Sequence, residues 1–179
     1  MFMSDNPSKT SFEIPCKAFE ESGRVPAVQG DVTMPMIDVY AEANTFAPEA
    51  LSELGKELTH AVLRAEGVAK PGPFHLNNTA FFTHIMQPGT IGTAAGDGAR
   101  VVRVQIITPP NALTRAGQVQ LTREVTDIVA KLSGDPTQAG RTWVLLSEAA
   151  EGGWGIAGTA YGKEEFITLA AAAKAAASH

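Results

Sequence analysis

One proline in this sequence stands where an amine could do chemistry. Residues 33–40, TMPMIDVY, put Pro35 directly after Met34 and at the head of a β-rich run. A proline nitrogen that carries only its two ring carbons and hydrogen is a base; acylated by a preceding residue, it is a tertiary amide with neither basicity nor an N–H. An α-amino group titrates near ~8 in model compounds, and apolar surroundings disfavour its charged form. A free Pro35 amine is thus able to take a proton from carbon beside a carbonyl, or from an enol hydroxyl, and return it elsewhere. The developing enolate then needs donors or cations nearby. Initiation at Met34 with removal of that methionine would give a chain of residues 35–179 that starts with the amine. A chain that keeps residues 1–34 has no such base.

Other polar residues carry weaker signals. His84 lies in the apolar run FFTHIM, where a lone histidine reads either as a hydrogen-bonded core residue or as a group facing substrate. Asn77 and Asn78 are possible donors to a carbonyl and equally mark a turn before that run. The four histidines, at positions 60, 75, 84 and 179, lack metal-ligand spacing, and Cys16 is the only cysteine. No intrachain disulfide or cysteine-based metal site follows. The glycines of GTAAGDG, from Gly92, have neither the strand-to-helix setting nor the lysine of a phosphate loop. The sequence therefore points to chemistry without metal or cofactor.

The elements that must position Pro35 come in two copies. Shifting the chain by 67 residues lays Ile37 on Val104, Val39 on Ile106, Leu54 on Leu121, Val62 on Val129 and Gly67 on Gly134. Each copy starts with a β-rich run, MIDVY or VVRVQII, and passes through a short loop into an amphipathic helix. Leu51, Leu54, Leu58 and Val62 mark the apolar face of the first helix; Leu121, Val125, Ile128, Val129 and Leu132 mark that of the second. Pro48 and Glu49 suit a first turn, Thr114 an N-cap, and Gly67 and SGDP (133–136) the stops. A further run follows each helix, TAFFTHIM from Thr79 and TWVLLSE from Thr142. Two βαβ units result, and they predict an α/β fold: a four-stranded mixed sheet with two helices on one face. The opposite sheet face is left bare, although its strands are apolar on more than one parity, so other subunits are expected to cover it.

The bulk composition agrees. With 179 residues, 44% hydrophobic and 18% charged, the chain is of ordinary globular type and able to bury roughly 70% of its unfolded surface. A net charge of -5 offers no basic footprint for nucleic acid. No apolar run reaches the roughly 20 residues that span a bilayer. The first 34 residues lack the apolar core of a secretory signal and read as a flexible leader, which places the protein in the cytoplasm. Residues 163–179 read as a helical tail.

The proline that opens the first strand, the paired βαβ units and the closing segment LLSEAAEGGWGIAG together resemble the tautomerase superfamily, in particular fused members related to 4-oxalocrotonate tautomerase. The resemblance runs from Pro35 to about Tyr161, with units at 35–98 and 99–162. It implies the tautomerase fold, a homotrimer, and keto–enol proton transfer on a small-molecule carboxylate of the 2-keto or 2-hydroxy-enoic type, with an amino-terminal Pro35 as base. It also implies that Trp154 and Ile156, in the closing hairpin, line the pocket beside Pro35. The family's dehalogenases and dienoate tautomerases carry an arginine in the loop entering the helix; NTFAPE and PPNALT have none here. Arg103, Arg100 or Arg141 of a neighbouring subunit would then bind the carboxylate, with Arg103 the first choice. Glu148 stands where some relatives hold an acidic water activator, and as a strand-end residue reads as an exposed charge. Decarboxylation or hydration on the same scaffold would want a fuller arginine and acid set. If Pro35 stays acylated, the expectation is a non-catalytic oligomeric protein.

Overall fold

The computed structural model describes residues 33–96 and 100–176. Most of the expected leader therefore lies outside the described residues, as does the end of the tail.

The two halves fold as the repeat predicts. Strand β1 (Met36–Glu42) leads through five residues into helix α1 (Pro48–Ala65), and after the short helix α2 (Pro73–Asn77) strand β2 (Ala80–Met86) runs parallel to β1. Strand β3 (Val102–Thr108), helix α3 (Arg115–Ser133), a 3-10 helix at Pro136–Arg141 and strand β4 (Thr142–Glu148) repeat the pattern, with β3 and β4 parallel. The strand order β2-β1-β3-β4 joins the halves through an antiparallel β1–β3 pair, in which Val39 faces Val104. A small hairpin, β5 (Trp154–Ile156) and β6 (Thr159–Tyr161), and helix α4 (Lys163–Ala176) complete the chain.

Local chemistry sets the helix ends. Pro48 occupies the first turn of α1 with Glu49 beside it, and the Thr114 side chain accepts a hydrogen bond from the Gly117 amide to cap α3. Gly67 (φ 93°) and Gly134 (φ 69°) both adopt the left-handed backbone just past their helices, a conformation that glycine reaches without a Cβ clash.

Both long helices cover one face of the sheet. Ile37, Val39 and Ala41 of β1 and Val102, Val104 and Ile106 of β3 pack against Leu54, Leu58 and Val62 of α1 and Leu121, Val125 and Val129 of α3. The helices are also joined at the surface by Lys131–Glu57 at 2.6 Å and by Arg64–Glu124. The opposite face carries Phe82, Trp143 and Leu145, which keep 48%, 59% and 44% of their surface exposed. Within one chain, this face is bare as expected.

The boundary at residue 34 differs from the expectation of a flexible leader. Thr33 and Met34 are buried, with only 5% and 1% exposed. The reason is packing: Met34 and Phe166 of α4 form a second small core with Phe74, Trp154, Tyr161 and Leu169. The tail helix and the residues just before Pro35 hold each other in place.

Candidate functional site

Pro35 is buried at the entrance to central strand β1, and its carbonyl accepts a hydrogen bond from the Ala80 amide at 3.1 Å. Its nitrogen is acylated by Met34. The hairpin comes to this end of the sheet: Trp154, paired with Tyr161 across β5–β6, packs in the Met34 core. The Trp154 indole nitrogen is buried without an acceptor. Ile156 lies two residues on along β5, is 37% exposed and is not among the described residues packed around Met34.

A carboxyl that the sequence reading passed over lies here too. Glu66, the residue that ends α1, is 4% exposed, and both of its carboxyl oxygens are buried. Because α1 runs back antiparallel to β1, its end lies over the start of the strand. Burial pushes the Glu66 carboxyl up to about 8; the Thr33 hydroxyl beside it opposes that shift, yet neither group makes a hydrogen bond of ordinary geometry. At neutral pH Glu66 is thus mostly an uncharged acid. Nothing in AVLRAEGV marks this glutamate as buried, since in that segment the helix stripe predicts burial only of Val62. The aromatic at 166, followed three residues later by Leu169 in the helical tail, was the available signal that this helix packs on the body of the protein.

His84 and Arg103 belong to a different cluster. In the sheet register, His84, Tyr40, Arg103 and Trp143 stand in one row across the four strands, on the bare face. His84 stacks on Tyr40 with ring centres 4.1 Å apart, and its Nε2 is 2.6 Å from Asp38 Oδ1. The Arg103 guanidinium lies 3.9 Å from the Tyr40 ring centre. Tyr40 is five residues beyond Pro35, roughly 17 Å along an extended strand. A single chain therefore does not bring Arg103 or His84 to Pro35.

The remaining candidates have structural partners. Asn78 Nδ2 donates to the Phe74 carbonyl at 2.7 Å, closing α2, and the Asn111 amide donates to Glu148 at 3.1 Å. Arg141 pairs with Asp135 at 2.7 Å. Among the described residues Arg103 makes no ion pair, and its Nε is buried without a partner. Among the described residues, no group of three histidine, cysteine or acidic side chains is placed to hold a metal ion, and no helix is long and apolar enough to cross a membrane.

No protein-family model and no curated protein sequence matches this chain. Solved structures do. A fused 4-OT wild-type symmetric trimer is similar over 69% of this chain and 93% of its own, at 18% identity and a TM-score of 0.58. Pt0534, inactivated by 2-oxo-3-pentynoate, is similar over 72% of this chain and 97% of its own, at 15% identity and a TM-score of 0.59. A macrophage migration inhibitory factor-like protein from Entamoeba histolytica is similar over 72% and 99%, at 16% identity and a TM-score of 0.57. With its mixed β2-β1-β3-β4 sheet and two helices on one face, the chain has the tautomerase fold in its fused, two-unit form.

Proposed function

We propose that this protein is a cofactor-independent tautomerase that moves a proton between carbon and oxygen in a 2-keto or 2-hydroxy-enoic acid, with Pro35 as base once it is the amino terminus. The observation that carries the reading is the position of Pro35: it is buried, opens the central strand, and directly follows a methionine whose small core includes Trp154. Such surroundings disfavour an ammonium and keep the amine basic near neutral pH. The fold likeness adds weight, because Pt0534 reacts with a 2-oxo acid. Trp154 and Ile156 would line the pocket. The carboxylate is assigned to Arg103 of a neighbouring subunit, since this arginine has no carboxylate partner among the described residues. Assembly as a homotrimer accords with the bare apolar sheet face and with the fused 4-OT trimers of the same fold. The setting is the cytoplasm, and residues 1–34 are absent from the working chain.

The test is a comparison of two proteins, the full chain and one beginning at Pro35, in the ketonisation of phenylenolpyruvate. Turnover only by the shorter chain, lost in Pro35→Ala with the fold intact, is the expected result. Equal turnover by both, or by Pro35→Ala, would sink the base assignment.

One observation favours a second reading. Thr33 and Met34 are packed as core residues, so an uncut chain has a well-made structure in which Pro35 remains an amide. The protein would then be an oligomeric scaffold without this chemistry. An intact mass of the native protein that includes residues 1–34 would establish that state.

A further inference from the structure

We propose that the seat of Met34 is a ligand site, which in a chain beginning at Pro35 takes the apolar tail of the acid substrate, and that Phe166 and Leu169 of α4 set the tail length it accepts. This rests on Pro35 being the amino terminus. The Met34 side chain is fully enclosed, with 1% of the residue exposed, and it forms one small core with Phe166, against which Phe74, Trp154, Tyr161 and Leu169 pack. A chain beginning at Pro35 loses buried Thr33 as well as Met34, and the seat of the Met34 side chain then opens as a hollow beside the new amine, because consecutive Cα atoms are only about 3.8 Å apart. A hollow lined by aromatic and aliphatic carbon stays dry and takes apolar molecules in preference to water.

The methionine serves as a template for what replaces it. Its side chain is an unbranched run of four heavy atoms. An acid with four carbons beyond its keto carbon fills the same space, and its carbonyl end then points back toward the Pro35 nitrogen. The apolar side chains of this core offer a second carboxylate on the tail nothing to pair with, so its desolvation there is costly. The buried Trp154 N–H, which has no acceptor while Met34 is present, is a donor for a ligand oxygen. In the uncut chain the same contacts make Met34 a plug, and α4 is the wall that holds it.

The experiment reads binding by titration calorimetry, independently of turnover. The chain beginning at Pro35 is titrated with 2-oxohexanoate, pyruvate and 2-oxoglutarate. Expected is binding of 2-oxohexanoate at least about tenfold tighter than either of the others, since it buries three more carbons than pyruvate and no second carboxylate as 2-oxoglutarate would. Phe166→Ala and, as a milder change at a half-buried position, Leu169→Ala should shift the preference toward 2-oxooctanoate. The full chain should bind 2-oxohexanoate weakly, and Met34→Gly in the full chain should recover binding with no cut at all. Equal binding of the three acids, an unchanged preference in both α4 variants, or a full chain that binds as well as its Met34→Gly form would overturn the proposal. The base assignment fails separately: Pro35→Ala in the short chain should keep the tail preference while losing proton transfer, so retained turnover there refutes the base and leaves the seat standing.

Discussion

Arg103 and His84 hold the Tyr40 ring from the two strands that flank β1, the guanidinium at 3.9 Å and the imidazole at 4.1 Å from its centre. The stack fixes Arg103 on the bare face of the sheet, at the far end of β1 from Pro35. Among the described residues its positive charge has an aromatic partner and no carboxylate. If that charge serves a substrate, it does so across a subunit boundary. Arg103→Ala, in the chain beginning at Pro35, is expected to raise KM for a 2-keto acid by about tenfold or more, the loss of one charged hydrogen-bonding partner, with kcat little altered. Light scattering on the same sample must show an unchanged assembly. An unaltered KM removes Arg103 from the site.

The bare face itself is open to a direct test. Leu145 is 44% exposed beside Trp143, in the row next to Arg103. Leu145→Arg places a charge where another subunit would desolvate it, and such an unpaired buried charge costs about 3 kcal/mol or more. Multi-angle light scattering should report a trimer for the parent and a monomer for the variant at micromolar concentration. A parent that is already monomeric, or a variant that still assembles, means this face is not the interface.

The internal repeat predicts equivalent behaviour at two glycines. Gly67 and Gly134 follow α1 and α3 at the same shift of 67 residues, and both have positive φ. Nothing stands within 4 Å of a Cβ added at Gly134, so substitution there reports backbone strain without a clash. Gly134→Ala should lower stability by about 1 kcal/mol. A urea midpoint identical to that of the parent would mean the helix end relaxes freely.

The sheet and both long helices were legible because each rests on a local pattern. Alternation gave β1 and β3, three- and four-residue steps gave α1 and α3, and Thr114, Pro48, Gly67 and Gly134 marked the ends through side-chain and backbone chemistry that needs no distant partner. The surroundings of Pro35 were only half legible. Trp154 came from the closing hairpin, but Met34 meets Phe166 across more than a hundred residues, and Glu66 comes to lie beside Thr33, through contacts that no periodicity encodes. Arg103 and His84 lie on strands that reading located correctly, yet the antiparallel β1–β3 register carries Arg103, and the parallel β1–β2 register carries His84, to the other end of the strand from Pro35. The side a residue faces follows from parity; the end it reaches follows from register, and that is set by packing.

The last prediction concerns Glu66, whose carboxyl is buried without a hydrogen-bond partner. Its acid form is favoured in the folded chain, where it titrates at about 8 against an ordinary value of 4.5. The folded state thus holds a proton that the unfolded state releases across that interval. The stabilising contribution of the neutral acid is fully present below about pH 4.5, falls steadily as pH rises toward 8, and is gone above it. Stability of the full chain should accordingly decline between these limits. Glu66→Gln keeps the shape and removes the ionisation. It should flatten this decline and, at pH 7.5, make the protein more stable than the parent by about 2 kcal/mol, while differing little at pH 5. Urea midpoints at the two pH values decide the matter, because a variant that tracks the parent across the range shows that the Glu66 carboxylate is not forced out of water by the fold.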